Sequence, residues 1–275
     1  MVVDSHHHFW DPSRRDYPWM GEGLAAIRRP FGPDELAPLL ATAGIDRTVL
    51  VQTISSIDET REFLTTAAAT DFIAGVVGWV DLTDPAVTDI LAELRSGPGG
   101  SFLVGIRHQV HDEPDPRWLL RDEVKRGIRA VGDAGLVYDL LVRTRELPAA
   151  VELVSAMPDT SFVLDHIAKP KIAAGPRDPE WELAMAPLAD RPNVTCKLSG
   201  MTTEADWKTW TTHQLQPYVT RVLDWFGPER CMFGSDWPVS LLASDYARVV
   251  STMKELVGEN DDVFGATAAR AYRLG

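Results

Sequence analysis

Short apolar runs rich in β-branched residues recur along the chain, and between them apolar positions repeat every three to four residues. The short runs predict eight strands, at 2–5, 48–53, 72–80, 103–109, 136–142, 161–165, 194–198 and 231–235. Most are continuously apolar rather than alternating, the pattern of parallel strands covered on both faces. The longer periodic stretches predict helices at 34–43, 57–70, 85–95, 116–134, 145–156, 178–189, about 213–226, and 246–257. Asp34 and Asp84 stand where N-caps are expected, and 116–134 reads as the longest helix. Pro217 is expected in the first turn of the seventh helix, where its missing N–H does no harm.

Strand followed by helix eight times, with no Gly/Ser linker and no shift in composition, predicts a closed (β/α)₈ TIM barrel, one domain over 1–275. An open doubly wound sheet is the competitor, but no G-x-G-x-x-G follows the first strand. The stretches 21–32 and 170–179 read as long loops, expected over the mouth of the barrel.

Composition narrows the partners. The 275 residues are 45% hydrophobic and 24% charged, with no apolar run of membrane-spanning length. A net charge of −13 argues against nucleic acid, which needs a basic surface. The N-terminus lacks the basic and apolar regions of a secretory signal, and two distant cysteines, Cys196 and Cys231, make no disulfide framework. A cytoplasmic protein with a small-molecule partner is expected, and nothing in the sequence speaks to oligomeric state.

The candidate chemistry lies at strand ends. In Asp4-Ser5-His6-His7-His8-Phe9-Trp10, strand alternation puts His6 and His8 on one side and His7 on the other. Two imidazoles so placed can share a metal ion or a substrate oxygen. A tag remnant does not fit, because strand residues precede the run and Phe9-Trp10-Asp11-Pro12 follows it. Asp236, in Gly234-Ser235-Asp236-Trp237-Pro238, ends the eighth strand beside the first and can take a proton from an attacking water. His166 closes the sixth strand, with Lys169 three residues on. Of Arg107 and His108, which end the fourth strand, Arg107 is expected to point inward and bind a carbonyl, hydroxyl or carboxylate. Asp139, embedded in an apolar run, is expected to pair with Arg107 or a sugar hydroxyl, and Lys197 is a weaker candidate. Trp10 and Trp237, with Trp19 and Trp79, can offer a platform to a sugar ring or serve only as core.

These motifs resemble the amidohydrolase superfamily (amidohydrolase-2 type). The stretches from Asp4 to Pro12 and from Leu164 to Pro170 resemble its sugar-lactonase branch, which includes L-fuconolactonases, L-rhamnonolactonases and 2-pyrone-4,6-dicarboxylate lactonases. Val104-Gly105-Ile106-Arg107, Tyr138-Asp139-Leu140-Leu141 and Phe264-Gly265-Ala266-Thr267-Ala268 extend the resemblance over nearly the whole chain. It implies a TIM barrel and hydrolysis of a lactone in carbohydrate catabolism. The metal-dependent pattern has a His ending strand five; this chain has Tyr138 and Asp139 there, which argues against a binuclear site. The expectation is either no required cofactor or one divalent ion, zinc first, on His6, His8 and Asp236 with His166 nearby. Asp236 would be the general base, and His6, His8, His166 and Arg107 would stabilise the oxyanion. A metal-dependent decarboxylase of the same superfamily and a non-catalytic sugar-binding barrel are the alternatives. A dicarboxylate lactone would need more cations, from Arg14, Arg15, Arg28 or Arg29; a neutral deoxy-sugar lactone needs fewer.

Overall fold

The apolar runs form β1 (Val3–His7), β2 (Arg47–Val51), β3 (Ile73–Gly78), β4 (Leu103–His108), β5 (Val137–Leu140), β6 (Phe162–Leu164), β7 (Val194–Leu198) and β8 (Cys231–Phe233). The computed structural model describes all 275 residues. The strands lie in sequence order, every neighbouring pair parallel. The last strand returns to the first. The His8 N–H donates to the Trp237 carbonyl at 2.7 Å and the Asp236 N–H to the His6 carbonyl at 2.8 Å. These bonds close the ring just above the strand ends and bring two of the predicted site segments together.

The helices are α1 (Pro33–Ala43), α2 (Ile57–Ala68), α3 (Val87–Ser96), α4 (Asp122–Asp133), α5 (Leu147–Ala156), α6 (Pro179–Ala189), α7 (Met201–Glu204), α8 (Thr212–Phe226), α9 (Tyr246–Val257) and α10 (Thr267–Tyr272). Eight cover the barrel; α7 is a single turn in the loop after β7, and α10 follows the last covering helix.

The lower interior is apolar. Val3, Val49, Val77, Val137, Val163 and Met232 pack together, with Ala268 and Tyr272 of α10 against them. Above them the inward positions turn polar: Arg107, Asp139, Asp165 and Lys197. β1 does not alternate simply, because its register with β2 shifts between Asp4 and His7. Val3 joins the inner valines, Asp4 accepts from Tyr246 Oη of α9 at 3.0 Å, and His6 turns back in toward Lys197. The irregularity lets both a core valine and a site histidine face inward from one short strand.

Several local expectations are corrected. Gly32, not Asp34, precedes α1, with Pro33 at its first position. Asp84 accepts from the Ala86 N–H at 2.7 Å, and α3 starts only at Val87. The expected helix over 116–134 is broken at Arg121, whose extended backbone separates a turn at Trp118–Leu120 from α4. Trp118 stacks on His108 with ring centroids 4.3 Å apart, a tertiary contact that overrides the periodic pattern. α8, with 15 residues, is the longest helix instead, and Pro217 lies inside it rather than in its first turn. The 170–179 loop does not cover the mouth; Tyr218 Oη of α8 ties it down by donating to the Gly175 carbonyl at 2.8 Å.

Gly127 lets α4 pack close against the connection between β3 and α3, for a Cβ there would lie 2.2 Å from the Leu82 carbonyl oxygen. Alanine is the better helix former by about 1 kcal/mol. Gly127→Ala is nonetheless expected to lower stability, by roughly 1–3 kcal/mol of overpacking. A thermal melt several degrees below wild type is the expected result; an unchanged or raised midpoint would contradict the packing described.

Candidate active site

A cavity of about 670 Å³ opens at the carboxyl ends of the strands. Its volume is that of a small-molecule site. His8, Arg107, His166 and Asp236 line it, with His6 fully buried directly beneath.

Two segments reach the cavity through unusual backbone. His166, Ile167, Ala168 and Lys169 all have positive φ, at 53°, 48°, 60° and 52°. A left-handed turn of non-glycine residues costs about 1–2 kcal/mol per residue, so it must be held. Trp181 Nε1 of α6 donates to the Ile167 carbonyl at 2.6 Å, and the Lys169 N–H to the His166 carbonyl at 2.8 Å. The turn presents both His166 and Lys169 to the cavity. Asp236 also has positive φ, at 56°. Gly200 clears space beside the turn, since a Cβ there would lie 2.6 Å from His166 Nδ1. Strain gathered at one cavity floor is the pattern of a functional site.

The imidazoles and Asp236 converge. His6 Nε2 and His8 Nε2 are 3.2 Å apart, and Asp236 Oδ1 lies 3.4 Å from His8 Nε2, 3.8 Å from His6 Nε2 and 3.9 Å from His166 Nε2. His8 Nδ1 is 2.7 Å from the Val51 carbonyl oxygen, which can only accept, so that nitrogen carries a proton and Nε2 faces the cluster. Burial pushes His166 down to about 3, against the pull of Asp236. It carries His6 well below the ordinary histidine value too, with Lys197 adding to the effect and Asp165 opposing it. Burial alone would raise the Asp236 carboxyl; His166, His8 and His6 outweigh it and hold the group well below the usual carboxylate range. Neutral His6 and His166 therefore stand beside an ionised Asp236.

The donor set fits one metal ion. Ligand atoms about 2.1 Å from a tetrahedral zinc lie about 3.4 Å from each other. The separations above are of that size, and the ligating atoms of His6, His166 and Asp236 all lie within 4.8 Å of one another. Asp236 Oδ1 is buried with no hydrogen-bond partner, an acceptor that wants a cation or a water.

Beneath the cluster lies a layer of four buried charges. Lys197 Nζ donates to Asp139 Oδ2 at 2.7 Å and lies 3.0 Å from Asp165 Oδ1 and 3.2 Å from His6 Nδ1. Arg107 Nη1 donates to Asp165 Oδ2 at 2.9 Å and stands 3.3 Å from His6 Nε2. Burial opposes ionisation of Asp165, but Lys197, His6 and Arg107 together hold it well below the usual range. Tyr272 Oη of α10 donates to Asp139 Oδ2 at 2.7 Å, joining the barrel's lower plug to this layer.

The sequence-predicted residues divide. His6, His8, His166 and Asp236 come together, Arg107 points inward beside them, and Lys169 lines the cavity while pairing with Glu204 at 3.2 Å. Asp139 does not reach the cavity: it is fully buried, and its partners are Lys197 and Tyr272, not Arg107 or a sugar hydroxyl. Trp10 and Trp237 are core residues, 3% and 1% exposed; Trp10 Nε1 donates to the Ile27 carbonyl at 3.0 Å, and both indoles pack edge-on against Phe31. Trp19 is the early tryptophan that lines the cavity. Trp79 instead donates to His108 Nδ1 at 3.0 Å. Arg14 and Arg15 pair with Glu62, and Arg29 with Glu35, away from the site. Sequence reasoning missed Asp165, although a carboxylate set against an apolar run is the signal that singled out Asp139. It also missed three residues on the cavity wall: Arg143, directly after the predicted strand 136–142, and His111 and Trp207, loop residues that carry no strand-end signal.

An eight-stranded parallel barrel with a His-x-His strand end and a carboxylate on the closing strand defines a hydrolase of the amidohydrolase type. The chain belongs to the amidohydrolase family, whose model matches residues 3–274. An L-fucono-1,5-lactonase from Burkholderia ambifaria is 40% identical over 281 residues, covering 99% of this chain and 95% of that protein. A crystal structure of an amidohydrolase from Burkholderia multivorans with bound HEPES is similar at a TM-score of 0.94 and 37% identity, covering 100% of both chains. A second crystal structure of an amidohydrolase from that organism, with bound zinc, has a TM-score of 0.92 and 36% identity, again covering 100% of both.

Lys197→Met tests the buried layer. Removing this cation leaves Asp139 and Asp165 short of a partner, and breaking such a pair costs about 3–5 kcal/mol. A large drop in melting temperature is expected, partly recovered by adding Asp139→Asn. A Lys197→Met melt equal to wild type would mean that the layer does not balance its charges in this way.

Proposed function

We propose that the protein hydrolyses a sugar lactone, with L-fucono-1,5-lactone as the first substrate to try, and that Asp236 is the general base. The observation that carries this reading is the buried, unpartnered Asp236 Oδ1, ringed by imidazole nitrogens on the floor of a large cavity. The curated relative named above acts on that lactone, and its likeness spans the whole chain.

In this reading a water held by Asp236 attacks the lactone carbonyl carbon, and its proton passes to the carboxylate. The oxyanion forms against the Arg107 guanidinium, whose position is set before the substrate arrives. The carbonyl–ring oxygen bond then breaks, and the proton is delivered to the departing alkoxide, giving the open hydroxy acid. The Asp236 carboxyl is held below the usual carboxylate range, so it is ionised and ready to accept, but the same effect makes it a weak base. The water must therefore be acidified by its surroundings. His6, His8, His166 and Asp236 would hold one zinc ion, which supplies that acidification and polarises the carbonyl when bound. A lactone carbonyl is more electrophilic than an amide, so the demand on such a centre is modest. The scarcity of unpaired cations around the cavity favours a neutral sugar lactone over a dicarboxylate. No helix is long and apolar enough to cross a membrane.

Proton release on adding L-fucono-1,5-lactone, followed with a pH indicator, tests the reading. Asp236→Asn is expected to lower kcat/KM by roughly 10²–10⁴-fold with the circular dichroism spectrum unchanged. Near-normal turnover in that variant would remove Asp236 from its role. If no five- or six-membered aldonolactone opens, with or without added zinc or manganese, the lactonase reading fails and decarboxylation of an unsaturated acid is the next assay.

Elemental analysis tests the metal site apart from activity. About one zinc per chain is expected after purification with zinc present, and much less in the His6→Ala and Asp236→Ala variants. Equal metal content in wild type and both variants would place the ion elsewhere.

A further inference from the structure

The cavity has two unlike walls. In an eight-stranded ring the loops after β8 and β1 are neighbours, and they face the loops after β4 and β5 across the mouth. The β8–β1 side presents Leu24, Val239 and Leu242, half-buried apolar side chains that rest on the core. They come from two short turns, Glu22–Ile27 and Val239–Leu242, that pack on each other. The β4–β5 side presents His111 and Arg143, with the buried Leu141 its apolar member. His111 Nδ1 is buried with no hydrogen-bond partner. Other cations at the cavity are neutralised, Lys169 by Glu204 and Arg107 by Asp165, whereas Arg143 makes no ion pair. A ligand spanning the mouth would meet hydrocarbon at one end and unsatisfied polar groups at the other.

We infer that the cavity selects 6-deoxy sugar lactones by polarity: Leu24, Val239 and Leu242 seat the methyl substituent, and His111 and Arg143 on the opposite rim take hydroxyls. This rests on the lactonase reading and adds which end of the substrate each wall recognises. A hydroxymethyl in place of the methyl would carry a hydroxyl onto a wall of side chains that cannot bond it, losing its hydration without replacement. An apolar seat discriminates against an added hydroxyl only moderately, by up to about 100-fold.

L-fucono-1,5-lactone and L-galactono-1,5-lactone differ only by CH₃ against CH₂OH at C6, so their kcat/KM ratio reads the apolar wall directly. Wild type is expected to favour the deoxy lactone by roughly 10–100-fold. Leu242→Asn and Leu24→Asn, on separate loops, should each bring the ratio several-fold closer to one, mainly by weakening the deoxy substrate. Arg143→Gln should raise KM for both lactones, leave kcat nearly unchanged and leave the ratio alone, as loss of uniform binding does. Lactones that open at equal rates in wild type, or a ratio that neither asparagine variant moves, would overturn the inference while the lactonase reading stands. A ratio altered by Arg143→Gln as strongly as by Leu242→Asn would overturn the division into two walls. If neither lactone opens, the reading and the inference fall together.

Discussion

Four charges inside the barrel organise the rest of the molecule. Arg107 and Lys197 face Asp139 and Asp165 in one layer, two cations against two anions, three from strands β4, β5 and β7 and Asp165 from just past the end of β6. Taking such groups out of water costs several kcal/mol per ion, and only close, mutually satisfying contacts offset that. Contacts of this kind join strands β4 to β7 to one another. They reach down through Tyr272 to α10 and up to His6. The layer thus couples the packing of the barrel floor to the orientation of a site histidine.

The site above inherits its properties from that foundation. His6 is buried between Lys197, Asp165 and Arg107, which fix where its ring lies. His8 is oriented by the Val51 carbonyl and His166 by Ser199 Oγ, 2.8 Å from its Nδ1. His8 and His166 are each held through Nδ1 and turned toward Asp236 with Nε2, as metal ligands commonly are, while His6 is contacted at both nitrogens, by Lys197 at Nδ1 and Arg107 at Nε2. The left-handed backbone at His166–Lys169 and at Asp236 is the cost of bringing these groups together at the mouth.

Much of this was legible in the sequence, for definite reasons. The strands showed because parallel strands buried on both faces must be apolar throughout. His6, His8, His166 and Asp236 showed because they interrupt or end those runs. What did not show was partner choice inside the barrel. The sequence points Asp139 to Arg107, its neighbour across the strand register, or to a sugar hydroxyl, yet it binds Lys197, 58 residues away and two strands over. No local pattern encodes that distance. The β1 irregularity was hidden too, since simple alternation also places His6 and His8 together and misses only that Val3 shares their side. Trp10 and Trp237 were ambiguous because an indole serves a core and a sugar platform equally well; their packing against Phe31 decides for the core.

A crystal structure of the Asp236→Asn variant soaked with L-fucono-1,5-lactone tests the central claim most directly, because it places the reacting carbonyl. The lactone is expected intact in the cavity, its carbonyl among His6, His8 and His166 and facing residue 236. A lactone bound with its carbonyl turned toward the Arg143 rim, or bound only outside this cavity, would contradict the assignment of this cluster as the place where water meets the ester.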